Sequence, residues 1–284
     1  MDFLASDEKF KFIDDLSVVE VINLISIGLA CYNTRSHVPS DIATDNLYLD
    51  SANIKSQEYL DNISDWTGKQ EMKLNTDKTK YMLFNYSTKY QFNTRQTLEG
   101  GKIDQTHQTK LLGLVLRDDL SWKSNTKELS KRAYSRMLII KKLYQFDVPV
   151  EELINIYILY IRSVVEQSAV VWHSSITKGE QRDLERTQKV ALRIILKDSY
   201  TSYPEALKLS GLDTLSERRS KLCLNFAKKC TKSEKTSEMF PLNKKVVNTR
   251  HHEQFNVTHA RTDRLAKSAI PYMQRLLNAN SKKK

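Results

Sequence analysis

Two adjacent carboxylates near the N-terminus, Asp14 and Asp15, are the strongest candidates in this chain for a chemical site. They follow residues 9–13, an alternating apolar and polar run that predicts a strand ending in a turn. Two aspartates on one tight turn project into a small volume, where a divalent cation such as magnesium would relieve their repulsion. Metal ions held in this way can clamp the attacking and leaving oxygens in phosphoryl transfer. A solvated turn is the alternative, because Asp-Asp pairs are common in turns.

The elements that must position such a site change character along the chain. The spacing of Leu60, Ile63 and Trp66 predicts an amphipathic helix over Ser51–Met72. Three strands are predicted next, with Gly100 and Gly101 as the turn before the last of them. These strands are Lys80–Phe84, Tyr90–Leu98 and Leu111–Leu116. After Trp122 the pattern is helical almost to the end.

The helices after Trp122 differ in their apolar faces. A narrow apolar stripe from Leu129 to Tyr144 predicts a helix packed on one side and ending before Pro149. The segment from about Glu151 to Trp172 is apolar on nearly all sides, which predicts the central buried helix.

A third helix, from about Gly179 to Lys197, combines a core face with a row of cations. At about 100° per residue the five cations fall within about 80° of one another, opposite Leu184, Ala191 and Ile195. We call these five residues the cationic row: Arg182, Arg186, Lys189, Arg193 and Lys197. The sector of the helix that holds these five cations contains no acidic residue, so a phosphate backbone would explain the arrangement. A solvated helix face is the alternative.

Charge is distributed unevenly between the two ends of the chain. Residues 1–72 contain 5 Lys and Arg against 13 Asp and Glu, a net charge of −8. The remaining residues contain 40 and 21, a net charge of +19. The basic part is therefore expected to face a polyanion, next to an acidic part that could hold a metal.

Composition excludes several classes of protein. The chain has 284 residues, 40% hydrophobic and 28% charged, which is ordinary for a globular protein and argues against disorder throughout. Cys31, Cys223 and Cys230 have neither metal-ligand nor disulfide-framework spacing, and the last two predict core packing on one helix face. No apolar stretch is long enough to span a bilayer, and no secretory signal is seen. We therefore expect an intracellular protein, in the nucleus, the cytoplasm or both.

An ordered set of short motifs resembles the downstream half of a reverse transcriptase from a non-LTR (LINE-type) retrotransposon. The set begins with Phe12-Ile13-Asp14-Asp15 and covers nearly the whole chain. It continues with Met72-Lys73-Leu74-Asn75, Asp77-Lys78-Thr79-Lys80, Lys110-Leu111-Leu112-Gly113, Asp119-Leu120-Ser121-Trp122, residues 161–166, Val171-Trp172-His173, residues 184–195, Gly211-Leu212 and Arg218-Arg219. Each motif is weak alone, but their order is specific.

The resemblance implies roles for particular residues. Asp14 would ligate the catalytic Mg²⁺ ions of a polymerase palm, with Asp15 supporting it. Lys78, with Lys80 as the alternative, would lie near the pyrophosphate leaving group, where an ammonium could donate a proton or neutralise charge. An exposed turn residue is the alternative for Lys78. Leu112 and Gly113 would belong to a hairpin that grips the primer end, where glycine allows close backbone approach.

The implied fold is α+β and mostly helical, with two parts. Residues 1–121 would form a truncated palm, and residues 122–284 a helical thumb and C-terminal region. The chain begins shortly before Asp14, so the upstream palm carboxylate and the fingers are not present, and we expect no polymerase activity from this chain alone. The expected partners are an RNA template, a DNA primer and the missing fingers-palm half, with no membrane.

Two other functions remain open. One is a non-enzymatic helical nucleic-acid-binding relic, whose palm residues no longer act. The other is a structural or protein-interaction role for the helices, which would be favoured if acidic side chains covered the cationic row.

Overall fold

A computed structural model describes residues 57–72, 74–84, 96–243 and 254–281. The described chain is mostly helical with a few short strands, which confirms the prediction of a mostly helical α+β protein. It divides into two compact units, Met1–Thr106 and His107–Lys284. Asp14 and Asp15 lie outside the described residues.

The described part of the first unit contains one helix and four short strands. Helix α1 covers 57–69, within the helix predicted from the sequence, and Ile63 on its apolar face is buried. The strands are β1 (Lys80–Tyr81), β2 (Thr97–Leu98), β3 (Gly101–Lys102) and β4 (Asp104–Gln105). β1 pairs in parallel with β4, and β2 pairs antiparallel with β3. The strand predicted over Lys80–Phe84 is therefore shorter, because it ends at Tyr81.

The second unit opens with a hairpin, β5 (Gln108–Leu111) and β6 (Leu114–Arg117). Leu111 pairs with Leu114, so only Leu112 and Gly113 form the turn. Both have positive φ, +47° and +83°, as a two-residue type I′ turn requires. The single strand predicted over Leu111–Leu116 is wrong, because the apolar run reverses direction in its middle.

The helices of the second unit follow the hairpin. In chain order they are α2 (Lys123–Tyr144), α3 (Val150–Ile156), α4 (Ser163–Val165), α5 (Ala169–Trp172), α6 (Lys178–Leu196), α7 (Tyr203–Ser210), α8 (Leu215–Cys230), α9 (Glu234–Ser237), α10 (Asp263–Ala266) and α11 (Ala269–Ser281). A π-helical segment, Tyr157–Arg162, joins α3 to α4. Short 3-10 turns follow α5 and α6, at His173–Ser175 and Lys197–Ser199.

The main core lies where α2, α3 and α6 meet. The stripe predicted on α2 is confirmed, since Leu129, Ala133, Met137 and Ile140 are all buried. The apolar face of α6 is also buried, with Leu184 and Ala191 fully so. Burying a large aliphatic side chain is worth about 1.5–3 kcal/mol, so these faces fix how the helices pack.

The helix predicted over Glu151–Trp172 is interrupted rather than continuous. It changes to π-helix at Tyr157 and breaks after α4, where Ser168 has φ +49°. Tyr157 and Ile161 are fully buried, but Leu159 is 76% exposed. The prediction of burial on nearly all sides is therefore wrong, since apolar side chains of this segment also face solvent.

Two of the longer helices begin with the same reciprocal cap. At α6, Thr177 Oγ1 accepts from the Glu180 amide (3.2 Å), and Glu180 Oε2 accepts from the Thr177 amide (2.7 Å). Thr214 and Glu217 repeat this arrangement at α8. Such a capping box satisfies two amides that have no partner within the helix, and so fixes where α6 starts.

A second apolar cluster joins α8 to α11. Cys223 and Cys230 are buried there as free thiols, which confirms the predicted core packing of these two cysteines. Burial raises the pKa of the Cys223 thiol to about 11. Among the helices that the structure describes, none combines the length and the apolar character needed to cross a membrane.

Candidate nucleic-acid interface

The cationic row lies along one face of α6, opposite the core. Arg182, Arg186, Arg193 and Lys197 are exposed and Lys189 is half-buried. Lys197 comes directly after the last α6 residue and has φ +40°. The five positive charges therefore remain at the surface, as the helical spacing predicts.

Three members of the cationic row lie against tyrosine rings. Lys189 Nζ is 4.9 Å from the ring centroid of Tyr203, and Arg193 Cζ is 5.3 Å from that of Tyr200. Lys197 Nζ is 3.6 Å from the ring centroid of Tyr144, at the end of α2. Such contacts contribute about 0.5–1 kcal/mol at exposed sites and leave the charge in place. The rings orient the cations without neutralising them.

Acidic side chains do not cover the cationic row. Within the described ranges, no member of the row forms an ion pair. Glu185, a half-buried acid of the same helix, already accepts hydrogen bonds from the Tyr203 hydroxyl and from the Leu215 amide (3.0 Å). The row is thus available to an external anion.

A second set of cations, which the sequence analysis missed, lies on α2. Its members share one face within about 100° of one another, and all are exposed. They are Lys123, Lys127, Lys131, Lys141 and Lys142, which we call the α2 lysines. The i,i+4 spacing of the first three is the signal in the sequence that places them on one face.

Contacts between α2 and α6 place the two sets of cations side by side. Tyr144 lies under Lys197, and the charge of Arg186 acts on the hydroxyl of Tyr134, which is 38% exposed on the α2-lysine face. Tyr134 precedes Tyr144 on α2, and their respective partners Arg186 and Lys197 occur in the same order along α6. The two helices therefore run in the same direction. The surface between them is a basic strip, although the exposed carboxylate of Asp183 also acts on the Tyr134 hydroxyl.

The core-facing side of α6 carries a buried polar cluster around Gln188. The Tyr157 hydroxyl donates to Gln188 Oε1 (2.6 Å), and Gln188 Nε2 donates to the Tyr203 hydroxyl (3.0 Å) and the Asp213 carbonyl (2.9 Å). Desolvation by burial, followed by the hydrogen bond to Glu185, raises the pKa of Tyr203 well above its ordinary value. Tyr203 thus links the cluster to Lys189 at the surface, so the cluster helps to hold the row in position.

Arg219 on α8 differs from the cations of the row because it is fully buried. Its Nε donates to His173 Nδ1 (3.2 Å), and its guanidinium lies 5.5 Å from the Trp172 ring centroid. Its two terminal nitrogens have no hydrogen-bond partner among the described residues. Burial, and then the charge of Arg219, lowers the pKa of His173 to about 4, so this imidazole is neutral at pH 7.

The remaining residues singled out from the sequence lie in different places. Lys78, in the first unit, is exposed in a turn, where its amide donates to Asn75 Oδ1 (3.0 Å). Leu112 and Gly113 form the tip of the β5–β6 hairpin, and Leu112 is 82% exposed. A Cβ added at Gly113 would displace the end of the Gln167 side chain, and the positive φ of Gly113 is what makes this turn favour glycine.

Asp118 and Asp119 precede α2 but do not cap it. Trp122 is the N-cap of α2 and no side chain caps it. Asp119 instead forms an ion pair with Arg117 (3.0 Å) and accepts from the Ser121 amide (2.9 Å), which lowers the pKa of its carboxyl. Asp118 contacts His107 Nδ1 at 2.6 Å. The pair therefore stabilises the end of the hairpin.

Comparison of the chain with known protein families, with curated proteins and with solved structures finds no match. Within the described ranges, no three His, Cys, Asp or Glu side chains are grouped as metal ligands would be. The basic strip is therefore the candidate site that the described residues provide.

Proposed function

We propose that this chain is the nucleic-acid-binding part of an RNA-directed DNA polymerase of the LINE type, and that its basic strip binds template-primer. One observation carries the binding proposal: all five members of the cationic row lack an acidic partner within the described residues and lie beside the α2 lysines. Contacts of this kind go to phosphates, so they give affinity without sequence preference.

The assignment to a polymerase rests on the motifs of the sequence. In this proposal residues 1–121 correspond to part of a palm and 122–284 to a thumb with its C-terminal region. Asp14 and Asp15 would hold Mg²⁺, Lys78 would act near the leaving group, and the Leu112-Gly113 turn would contact the primer. The Leu112-Gly113 hairpin supports the last of these roles, because its tip is exposed.

A non-enzymatic nucleic-acid-binding module is the second candidate. The same basic strip supports it, since binding by these helices needs no contribution from Asp14 or Asp15. Primer extension with magnesium separates the two functions, using the chain supplied with the fingers-palm half of a related enzyme. An enzyme would lose extension when Asp14→Ala is introduced, whereas a module would give no extension with either chain.

Binding is tested by titrating the full chain with an RNA–DNA duplex at several salt concentrations. In the row variant, Arg186→Gln, Lys189→Gln and Arg193→Gln together remove three charges. We expect at least about tenfold weaker binding at low salt, and a slope of log affinity against log salt that is smaller by about 3, since each lost phosphate contact contributes about 0.9.

A matched control removes three lysines that already have acidic partners. Lys208, Lys221 and Lys267 contact Glu205, Asp213 and Asp263 respectively. The triple change of these lysines to glutamine alters the net charge by the same amount, but it should leave the salt slope nearly unchanged. Equal losses in the two triple variants, or salt-independent binding by the unaltered chain, would refute the proposal.

A further inference from the structure

A surface groove, whose lining includes none of the residues of the basic strip, lies between α8 and the segment where α4 is joined to α5. Its volume is about 590 Å³. One wall comes from this segment, through Glu166 and Ser168, and from the start of α5, through Ala169 and Val170. The other wall comes from α8, through Leu222, Asn225, Phe226, Lys228 and Lys229. Leu222, Asn225, Phe226 and Lys229 follow the i, i+3, i+4, i+7 spacing of one helix face.

The groove combines an apolar floor with an exposed aromatic ring. Ala169, Val170 and Leu222 supply the floor, and Phe226 is 44% exposed. An exposed phenylalanine beside a concave apolar surface can stack against a planar ring of a ligand. Asn225 and Ser168, which are both exposed, place an amide and a hydroxyl at the same opening.

The charge around the groove is positive. Lys228 and Lys229 are exposed and have no ion pair among the residues that the structure describes. Glu166 is the acidic residue of the lining, and its carboxylate contacts Arg162 Nε at 3.5 Å and Arg218 Nε at 3.2 Å. Its charge is thus compensated by two arginines, and an occupant would meet a net positive rim.

We propose that this groove binds an unpaired nucleotide of a single-stranded nucleic acid, with its base stacked on Phe226 and its phosphates at Lys228 and Lys229. A stacking ring, an amide able to bond a base edge and unpaired cations are the groups that single-strand readers use. The inference rests on the proposed class of partner, nucleic acid. The groove uses residues outside the cationic row and binds a single strand rather than a duplex. The cationic row, by contrast, would follow a phosphate backbone without stacking on bases.

The test compares two probes on the full chain: a fluorescently labelled single-stranded oligo(U) and a blunt duplex of the same length. Phe226→Leu keeps the apolar floor but removes the stacking ring. We expect single-strand affinity to fall about tenfold, as for the loss of one base stack, while duplex affinity changes less than twofold. Phe226→Trp should restore single-strand binding, and comparison of its emission with that of the unaltered chain should show added quenching on binding.

Phe146 provides the matched control, because it is another exposed phenylalanine of the same unit and lies outside the groove lining. Phe146→Leu should leave both affinities unchanged. Equal loss in the two phenylalanine variants, unchanged single-strand affinity in Phe226→Leu, or parallel loss of both probes would overturn the proposal. A peptide of alternating leucine and glutamate provides a further check. If it displaces oligo(U) and its own binding depends on Phe226, the proposal is overturned, because the groove would then bind an acidic protein segment.

The row variant described above separates this inference from the proposed function. Loss of duplex binding in that variant supports the basic strip whatever happens at the groove. A Phe226-dependent preference for single strands supports the groove even if the row variant binds duplex normally.

Discussion

Arg193 and Arg219 belong to the same helical unit and both lie beside aromatic rings, but their surroundings differ completely. Arg193 is exposed over Tyr200, with other cations one turn away on α6. Arg219 is fully buried beside Trp172 and His173. Its positive charge is compensated by the carboxylates of Glu185 and Glu166. The difference indicates which cation serves binding and which serves folding, since only the exposed one can reach a partner.

Arg219→Ala should give the largest effect on stability. The change removes a fully buried side chain together with its hydrogen bond to His173, and leaves a cavity beside Trp172. We expect the free energy of unfolding to fall by about 3 kcal/mol, measured by urea denaturation. Arg219→Met, which keeps most of the volume, should lose less. A melting curve unchanged in Arg219→Ala would contradict the structural role of this residue.

The neighbouring His173 predicts how stability depends on pH. Its pKa is about 4 in the folded chain against an ordinary 6.5, so the unfolded chain binds the proton first as the pH falls. The contribution of His173 should therefore lower the free energy of unfolding between about pH 6.5 and pH 4, by up to about 3 kcal/mol, and this contribution should level off below pH 4. In His173→Gln the decrease over this window should be smaller by that amount. An unchanged pH profile in this variant would place the dependence elsewhere.

Gln188→Leu tests the cluster beneath the cationic row. The change leaves the buried Tyr157 hydroxyl without its acceptor and removes two further hydrogen bonds of Gln188. We expect a loss of about 2 kcal/mol in thermal or urea unfolding. Duplex affinity at a temperature where the variant is folded should weaken only slightly. If duplex affinity falls as far as in the row variant, the buried cluster determines the positions of the cations in the row and not only the stability of the fold.

Tyr144→Leu should give the smallest effect. It removes the ring beneath Lys197 but no charge, so the number of phosphate contacts stays the same. Duplex affinity should fall less than about fivefold, with the salt slope unchanged. A changed slope in a titration of this variant would mean that the ring determines whether Lys197 reaches a phosphate at all.

The elements that sequence predicts well here are those fixed by local spacing. The α2 stripe and both faces of α6 follow from helical periodicity, because neighbours at i+3 and i+4 share a face whatever the rest of the chain does. Tyr144, by contrast, reaches Lys197 only through the packing of α2 on α6. No spacing rule contains that contact.

Two errors have specific physical causes. The run around Leu112 looks like one apolar strand, since a leucine with positive φ is unusual and only Gly113 hints at the turn. The run around Leu159 looks buried because apolar residues occur at every turn, whereas the π-helical segment leaves Leu159 in solvent. The burial of Arg219 could not be foreseen, because its positive charge is compensated by Glu185 and Glu166, which are distant from it in the sequence.

The rise of α6 sets a length scale for any ligand of the cationic row. From Arg182 to Arg193 the helix axis advances about 16 Å, at about 1.5 Å per residue. One strand of a duplex advances about 3.4 Å per nucleotide, so these residues cover about five nucleotides. Oligonucleotides much shorter than this would leave some cations of the row without a phosphate partner. The affinity gained with each added nucleotide should therefore level off near that length.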